Sequence, residues 1–362
     1  MKKVLHLITG LEKGGGAENM LLKTLPYLKK TENRVCCIRG HGEIGEKLEQ
    51  RGVLVHYLDA KRKYNPGVIW RYKGVIRDFK PDLQVNYLIH ADLFGRFFGK
   101  TFGVKKIVAY IRNKHLDLPF LLKMDKLTSN LVDYHLTNSV STLNYYRQNL
   151  KIKLEKSHCI PNGINLEDFQ INIETEKKRR EVNLTPNDFV ISNVARLYSS
   201  KRQIDILQAL KLLNNSKIKL LLIGTGDQEG LLKNFVKENN LDAQVRFLGL
   251  RNDVLEILQA TDLFVLPSMH EGMSNALLEA MTMKRPCLVS DIEENIELIK
   301  HNLNGMNFRT ADYKDLAEKI NFAINNIERM KDFGHKARET VEKNYNIKKI
   351  IAQLDDFLYS FI

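Results

Sequence analysis

The chain has 362 residues, more than the roughly 150 of an ordinary domain, and its 43% hydrophobic and 27% charged residues suit two folded domains and exclude wholesale disorder. No apolar run approaches the roughly 18 residues that a membrane-spanning helix needs, and the first residues lack the pattern of a signal peptide. The 4 scattered cysteines favour buried thiols over disulfides or structural zinc, so we expect a cytoplasmic protein.

Short β-rich runs alternate with amphipathic segments, which is typical of repeated βα units and parallel sheets. Strands are predicted at 4–9, 34–38, 54–57, 83–86, 106–110, 133–137, 157–160, 189–194, 217–223, 244–248, 263–266 and 286–290. After residue 290 the pattern predicts helices, at 314–326, 330–342 and 347–360, and no further strand. We predict an α/β fold of two Rossmann-like, doubly wound parallel-sheet domains.

A domain boundary is predicted between the two series of strands. The turn Pro161-Asn162-Gly163 is followed by a densely charged stretch at 174–181, and turn residues followed by dense charge are typical of a domain boundary. We place the first domain at 1–163 and the second at 164–345.

Positive charge is concentrated in the first half. Residues 1–163 hold 29 basic against 14 acidic residues, a balance of +15, whereas residues 164–362 hold 27 against 29, a balance of −2, within the total of +13. The asymmetry favours an anionic partner for the first half, either a phospholipid surface, a lipid-linked phosphate or nucleic acid. An ordinary solvated surface is the alternative.

Ligands of open parallel sheets bind beyond the carboxyl ends of the strands, so the loops there are the candidate sites. Gly14-Gly15-Gly16 follows the first strand and precedes a helix, an arrangement that lets backbone amides approach a phosphate. The spacing does not fit the G-x-G-x-x-G pattern of nicotinamide cofactors, and a plain tight turn is the alternative.

In the second half, Arg196 and Lys201 follow a predicted strand and lead into a helix that we expect Ser199 or Ser200 to cap. A guanidinium and an ammonium suit the oxygens of a diphosphate, although a solvated helix start would look the same. Gly224 begins another glycine turn after the next strand.

The segment 266–281 follows a strand and carries carboxylates at Glu271 and Glu279. If both were helical, about 1.5 Å of rise per residue would separate them by roughly 12 Å along the axis. That exceeds the roughly 5–9.5 Å between paired glycosidase carboxylates, so a hydrolytic pair is disfavoured. The spacing favours the two ends of one extended ligand, and two unrelated surface glutamates are the alternative.

Four motifs together resemble those of the retaining GT-B glycosyltransferases of family 4. They are Gly-Gly-x-Ala-Glu at 14–18, Pro-Asn-Gly-Ile-Asn at 161–165, Arg-Leu-x-x-x-Lys at 196–201 and Glu-x7-Glu at 271–279. The resemblance spans nearly the whole chain in the order and spacing of that family. It implies two Rossmann-like domains, the first for the acceptor and the second for a nucleotide sugar, and a last helix, about 346–362, that packs on the first domain.

The resemblance also implies roles for single residues. Arg196 and Lys201 would hold the donor diphosphate, and Glu279 would bond the ribose hydroxyls. Glu271 would hold the transferred sugar. The remaining donor-binding candidates are Gly15, Gly16, Gly224, Leu250, Arg251, Gly272, Met273 and Ser274.

Three residues of the first half are further candidates. His90 follows a strand where the family often places a histidine beside the donor sugar, although a helix cap is the alternative. At a second such position the chain has Arg112 and Asn113 instead of histidine, and we expect them to contact phosphate or acceptor.

The charges predict metal-independent chemistry. Cations fixed at the leaving group stabilise the diphosphate that develops negative charge, and Arg196 and Lys201 can supply them. Enzymes that use a divalent metal for this step need clustered carboxylates, and the sequence has no Asp-x-Asp. We therefore expect no cofactor and no metal, with His90, Arg196, Lys201 and Glu271 as the catalytic candidates.

The resemblance predicts transfer of a hexose or N-acetylhexosamine, UDP-linked in the donor, to a glycan or polyprenyl-diphosphate-linked acceptor in bacterial capsule or O-antigen synthesis. Lys61-Arg62-Lys63, Arg71, Lys73 and Arg77 form a basic patch for anionic lipid, so we expect peripheral binding at the inner face of the plasma membrane.

A nucleotide-sugar 2-epimerase, a basic nucleic-acid-binding protein and an inactive sugar-binding module are the alternatives; the first would need no acceptor, the second lacks a binding module, and the third conflicts with intact charged motifs.

Overall fold

The structure is a computed structural model that describes residues 1–12, 15–60, 67–114, 118–150, 152–170 and 175–361. Its internal contacts divide the chain into two compact units. Unit 1 comprises Met1–Gly163 and Ile347–Ile362, and unit 2 comprises Ile164–Asn346.

Unit 1 is built on a parallel sheet. Its strands are β1 (Lys2–Ile8), β2 (Thr31–Cys37), β3 (Leu54–Tyr57), β4 (Leu83–Tyr87), β5 (Lys106–Ile111), β6 (Tyr134–Thr137) and β7 (Ser157–Cys159). The helices between them are α1 (Gly16–Thr24), α2 (Glu43–Gln50), α3 (Gly67–Phe79), α4 (Ile89–Thr101), α5 (Pro119–Thr128) and α6 (Val140–Leu150). The sheet order β3-β2-β1-β4-β5-β6-β7 is that of a doubly wound domain, as predicted.

Unit 2 repeats the arrangement. Its strands are β8 (Phe189–Val194), β9 (Ile218–Ile223), β10 (Val245–Gly249), β11 (Leu263–Leu266), β12 (Cys287–Ser290) and β13 (Met306–Phe308), in the order β10-β9-β8-β11-β12-β13. Its helices are α7 (Thr175–Glu181), α8 (Gln203–Leu213), α9 (Glu229–Glu238), α10 (Val254–Gln259), α11 (Asn275–Thr282), α12 (Glu293–Leu298), α13 (Tyr313–Asn325) and α14 (Ile327–Asn344). The α/β fold predicted from alternating apolar runs is confirmed in both units.

Strand β13 shows that the prediction of no strand after residue 290 is wrong. Met306 and Phe308 are buried at 2% and 1% exposure, and Met306 pairs in parallel with Leu288 of β12. Sequence patterns reveal strands of about four to eight residues, and β13 has three. A polar residue also separates its two buried ones, so the strand has no continuous apolar run.

The described part of the charged stretch at 174–181 forms helix α7 within unit 2. Lys178 is buried and its ammonium lies 2.6 Å from Glu181, 3.0 Å from Asp253 and 2.6 Å from Glu256. Burial favours the neutral amine, but hydrogen bonds to these carboxylates outweigh it and raise the pKa of Lys178. Here the charged side chains hold helix α7 in place on unit 2.

A second buried ion cluster fixes helix α4 in unit 1. The Arg96 side chain has no exposed surface and pairs with Asp92 on the same helix and with Asp125 of α5, at 2.7 Å from the latter. A buried charge is tolerated when it is paired in this way.

The last helix, α15 (Ile347–Phe361), belongs to unit 1. Ile350, Leu354 and Leu358 lie in one core cluster with residues of β1, β4 and β5. A Cβ on Gly163 would lie 2.8 Å from the Cα of Ile347, so glycine permits the close approach of the helix start. Among the described residues, no helix is long and apolar enough to cross a bilayer.

We predict that Asp355 fixes α15 to its unit and that the neighbouring Asp356 does not. Asp355 is 6% exposed and accepts hydrogen bonds from the backbone amides of Lys29 and Lys30, at 2.9 and 3.2 Å, whereas Asp356 forms an exposed ion pair. In urea denaturation, Asp355→Ala should cost about 1.5–3 kcal/mol, because two backbone amides lose a buried, charged acceptor. Asp356→Ala is the matched control and should leave the transition unchanged; equal effects of the two substitutions would contradict the prediction.

Candidate functional site

The loop after β8 carries the two predicted diphosphate ligands of unit 2. Arg196 is exposed, and Lys201 ends a 3-10 turn at Ser199–Lys201. The predicted serine cap is wrong: Arg202, with a left-handed φ of 49°, directly precedes α8, and no side chain caps that helix. Arg202 instead forms two 2.6 Å hydrogen bonds with Asp205.

Lys201 and Glu271 are brought together although 70 residues separate them in sequence. The Lys201 ammonium lies 2.5 Å from Glu271 Oε1, and the hydroxyl of Ser268 donates to the same oxygen at 2.7 Å. The two charged side chains are 21% and 12% exposed. Both contacts fall on Oε1, so among the described residues Glu271 Oε2 meets no donor within hydrogen-bonding distance.

Backbone and buried hydroxyl groups hold this pair in place. Met269 N donates to the carbonyl of Ser200 at 2.9 Å, which joins the loop after β11 to the loop after β8. Ser268 is fully buried and its carbonyl accepts from the hydroxyl of Ser290 at 2.6 Å. The carboxyl ends of β8, β11 and β12 thus form one rigid support.

The glycine turn after β9 packs directly against the Arg196 loop. A Cβ on Gly224, where φ is 132°, would lie 2.1 Å from the carbonyl oxygen of Ala195, and one on Gly226 would lie 2.2 Å from that of Leu197. Leu197 N donates to Thr225 O at 3.0 Å. Only glycine allows this close approach of two backbones.

Helix α11 begins at Asn275, and the hydroxyl of Ser274 caps it by accepting from Leu277 N at 3.3 Å. Gly272 and Met273 are buried beside it. Glu271 lies in the loop and only Glu279 is helical, so the assumption behind the 12 Å axial separation is wrong.

The loop after β10 reaches the glycine turn through its backbone. Gly224 N donates to Gly249 O at 2.8 Å, and Leu250 is 80% exposed. Arg251 binds Asp253 at 2.7 and 2.5 Å, and these hydrogen bonds hold the pKa of Asp253 well below its usual range. The Arg251 guanidinium is therefore committed to the neighbouring carboxylate.

In unit 1, Gly15 is the N-cap of α1 and Gly16 its first residue, while Lys13 and Gly14 of the same motif lie outside the described residues. His90 is the second residue of α4 and is exposed. The residue before α4, Leu88, has a φ of 67°, a conformation that costs a bulky residue about 1–3 kcal/mol. Such strain is concentrated at functional sites, and it directs the chain into the turn that presents His90.

Arg112 follows β5 and is 8% exposed. Its Nη2 donates to Asn162 Oδ1 at 2.6 Å and approaches Gly16 O at 3.4 Å, and its guanidinium lies 5.3 Å from the centre of the Tyr110 ring. The structure thus joins the glycine motif, the Pro-Asn-Gly motif and the predicted acceptor-side arginine. Asn113 is partly buried beside it.

Sequence reasoning missed three residues that shape these sites: Ser268, Leu88 and Asn162 as the partner of Arg112. Ser268 had a weak signal, a hydroxyl three residues before the predicted carboxylate Glu271. Among the described residues, no group of three or more His, Cys, Asp or Glu side chains is arranged to hold a metal ion.

Comparisons with known proteins agree across both halves of the chain. The model described as Glycosyltransferase Family 4 matches residues 14–168, and the model described as Glycosyl transferases group 1 matches residues 174–340. The N,N'-diacetylbacillosaminyl-diphospho-undecaprenol alpha-1,3-N-acetylgalactosaminyltransferase of Campylobacter jejuni is 30% identical over 332 residues, covering 86% of this chain and 87% of that protein. The UDP-Gal:alpha-D-GlcNAc-diphosphoundecaprenol alpha-1,3-galactosyltransferase of Escherichia coli is 27% identical over 351 residues, covering 87% and 88%.

Solved structures show the same fold. HepE of Anabaena, solved in complex with UDP-glucose, superposes with a TM-score of 0.88 at 21% identity, covering 99% of this chain and 100% of that one. The predicted resemblance is confirmed: this chain belongs to the group 1, family 4 glycosyltransferases, with the GT-B fold of two Rossmann-like domains.

Proposed function

We propose that the protein transfers a hexose or N-acetylhexosamine from a UDP-sugar to a lipid-linked glycan acceptor, with retention of the anomeric configuration, in bacterial surface polysaccharide synthesis such as that of capsule or O-antigen. The observation that carries the proposal is the Lys201–Glu271 pair, fixed by Ser268 at the carboxyl edge of the unit 2 sheet. Support for the substrates comes from the two relatives, whose names specify diphospho-undecaprenol-linked sugars, and from the UDP-glucose complex of HepE.

The charges of unit 2 account for leaving-group stabilisation. Departure of the nucleotide places negative charge on its terminal phosphate, and cations already fixed at that position stabilise the transition state more than the ground state. We assign this role to Arg196 and Lys201. Because Glu271 holds Lys201 through Oε1, its Oε2 is left to accept a hydroxyl of the transferred sugar.

Backbone groups and one further carboxylate complete the proposed donor site. Glu279, on α11, would accept from the ribose hydroxyls, and the amides of Gly272, Met273 and Ser274 would bind the sugar. Gly15, Gly16, Gly224, Leu250 and Arg251 would contribute backbone contacts, and His90 would lie beside the sugar. Retention would follow from attack of the acceptor hydroxyl on the face that the phosphate leaves, with that phosphate taking the proton.

We further propose that no metal or other cofactor takes part, because Arg196 and Lys201, in the role proposed for them, would neutralise the leaving group as a divalent ion does in other enzymes. The alternative of a nucleotide-sugar 2-epimerase is distinguished by its chemistry, since an epimerase consumes donor without any acceptor. We propose no role for nucleic acid.

Unit 1 offers a surface for the membrane, and we propose that the protein works in the cytoplasm, bound peripherally to the inner face of the plasma membrane. Trp70 of α3 is 70% exposed and the Lys73 ammonium lies 5.3 Å from its ring. Arg71 and Arg77 lie on the same helix, and tryptophan beside cations is typical of membrane interfaces. Lys61-Arg62-Lys63, the rest of the predicted patch, lies outside the described residues.

The donor assignment predicts slow nucleotide release when the purified protein is incubated with one of a panel of UDP-, GDP- and ADP-sugars in EDTA. We expect a UDP-sugar to react, and Lys201→Ala and Glu271→Ala to lower the rate about 10²–10³-fold, the effect of removing one group that stabilises developing charge. Lys336→Ala, which removes an exposed lysine paired with Asp332 on α14, is the control and should react like the wild type. Release that required a divalent metal would contradict the cation assignment, and a donor consumed to an epimeric sugar nucleotide would favour the epimerase.

The packing of the glycine turn predicts that Gly226→Ala weakens UDP binding at least tenfold. The new Cβ would meet the backbone of Leu197 and displace the loop that carries Arg196 and Lys201. Gly230→Ala is the matched control, because a Cβ there meets no heavy atom within 4 Å. Isothermal titration measures both affinities, and unchanged binding by Gly226→Ala would show that this loop does not position the diphosphate ligands.

Membrane association predicts a dependence on anionic lipid. Vesicles with phosphatidylglycerol should sediment the protein and neutral phosphatidylcholine vesicles should not, since each cation near an anionic surface contributes about 1 kcal/mol. The double change Lys73→Glu and Arg77→Glu should reduce sedimentation, whereas Lys336→Glu on unit 2 should not. Equal recruitment by both kinds of vesicle would refute the electrostatic part of the proposal.

A further inference from the structure

We propose that unit 1 contains its own binding site for a sugar phosphate, centred on Arg112, and that the acceptor supplies this phosphate. The inference rests on the proposed function, which it deepens by naming the charged group of the acceptor. The site is built from the loops that follow β5, β6 and β7, together with the start of α1.

Arg112 is a buried charge without a counter-ion. All of its hydrogen-bond partners are neutral, namely the amide oxygen of Asn162 and the carbonyl of Gly16, and the ring of Tyr110 beneath it is neutral too. Within the described parts of the chain, no carboxylate lies within 4.0 Å of its guanidinium. Its Nη1 is buried and has no hydrogen-bond acceptor.

Several other guanidiniums of the described residues have acceptors of two kinds: carboxylates, as at Arg96 and Arg179, or several backbone carbonyls, as at Arg285, which donates to Met283 O, Gln259 O and Thr261 O. Arg96 is buried between Asp92 and Asp125, and Arg179 of α7 binds both oxygens of Asp262 at 2.8 Å. Burying an ion without a partner costs several kcal/mol, so folding alone gives no reason for Arg112. A ligand anion at Nη1 would compensate its charge.

The neighbouring polar atoms identify the rest of the ligand. Ile111 of β5 pairs with Thr137 of β6. Arg112 and Asn138 are the next residues after this pair, so they lie at the same edge of the sheet. Asn138 is 2% exposed, and in the described part of the chain no donor reaches the buried side-chain oxygens of Asn138 and Asn113. A guanidinium binds phosphate oxygens and amide oxygens accept from hydroxyls, so the combination fits a phosphate esterified to a sugar.

We assign this phosphate to the acceptor instead of the donor for two reasons. The donor site that we propose in unit 2 already contains two cations, Arg196 and Lys201. The net positive charge of the chain lies in residues 1–163, at +15, whereas residues 164–362, which we propose to bind the donor, have a net charge of −2. An acceptor that carries a diphosphate beside its sugar would account for both.

The test is titration of the full-length protein with inorganic pyrophosphate in the presence of saturating UDP. We expect wild type to bind pyrophosphate and Arg112→Gln to bind it at least tenfold more weakly, with Arg112→Lys between them. Arg51→Gln, which removes an exposed arginine of the same unit that donates to the carbonyl of Leu22, is the matched control and should bind as wild type does. Wild-type affinity in Arg112→Gln would overturn the proposal.

Titration with UDP alone separates the two sources of phosphate. We expect Arg112→Gln to leave UDP affinity unchanged and Lys201→Ala to reduce it. Equal losses in both variants would assign the Arg112 phosphate to the donor and overturn the acceptor assignment. If wild type failed to bind UDP or turn over any nucleotide sugar, the proposed function would fail instead, and pyrophosphate binding in the Lys201→Ala background would still test Arg112.

Thermal unfolding in buffer without phosphate or sulfate distinguishes a ligand-binding residue from a structural one. Arg112→Gln should have a Tm equal to or above that of wild type, because it removes an uncompensated buried charge. Arg96→Gln should unfold at a much lower temperature, because it leaves two buried carboxylates without a cation. A loss of Tm in Arg112→Gln as large as that in Arg96→Gln would show a structural role and contradict the proposal.

Discussion

The parallel strand arrangement is the constraint on which the rest of this structure depends. In each unit all named strand pairs run in the same direction, so every strand ends at one edge and the following loops lie side by side. Residues far apart in sequence then meet without any long connection, as Lys201 and Glu271 do. The candidate site residues of both units consequently lie on loops at the carboxyl edge of a parallel sheet.

The protein treats its buried charges in two ways. The buried Lys178 and Arg96 and the partly buried Arg179 pair with carboxylates within their own unit, and these pairs connect helices and strand ends. Lys201 is partly exposed and shares a single carboxylate oxygen, while Arg112 has neutral partners only. Incomplete compensation is a physical signature of a ligand site, because an anion that binds there gains the interaction that folding left unmade.

Much of the fold was predictable because buried parallel strands are continuous apolar runs, and all twelve predicted strands overlap observed ones. Strand β13 was not, since its two inward residues flank a polar one and its pairing with β12 is set by tertiary structure. The burial of Lys178 was not predictable for a related reason: composition gives the number of charges but not the carboxylates of α10 and its preceding loop that neutralise Lys178. Positions of candidate ligands could be predicted, whereas burial and pairing could not.

The same limit explains why Arg112 is more informative in the structure than in the sequence. A guanidinium after a strand looks alike whether it is solvated, paired or buried, and only the fold shows that Asn162 and Gly16 hold it at 8% exposure. The backbone of Leu88, after the neighbouring strand β4, has a φ of 67°, which lowers the free energy of unfolding by about 1–3 kcal/mol. Both features oppose folding and lie at the carboxyl edge of the unit 1 sheet, where a ligand would bind. Sites of this kind are retained when binding, and not stability, requires them.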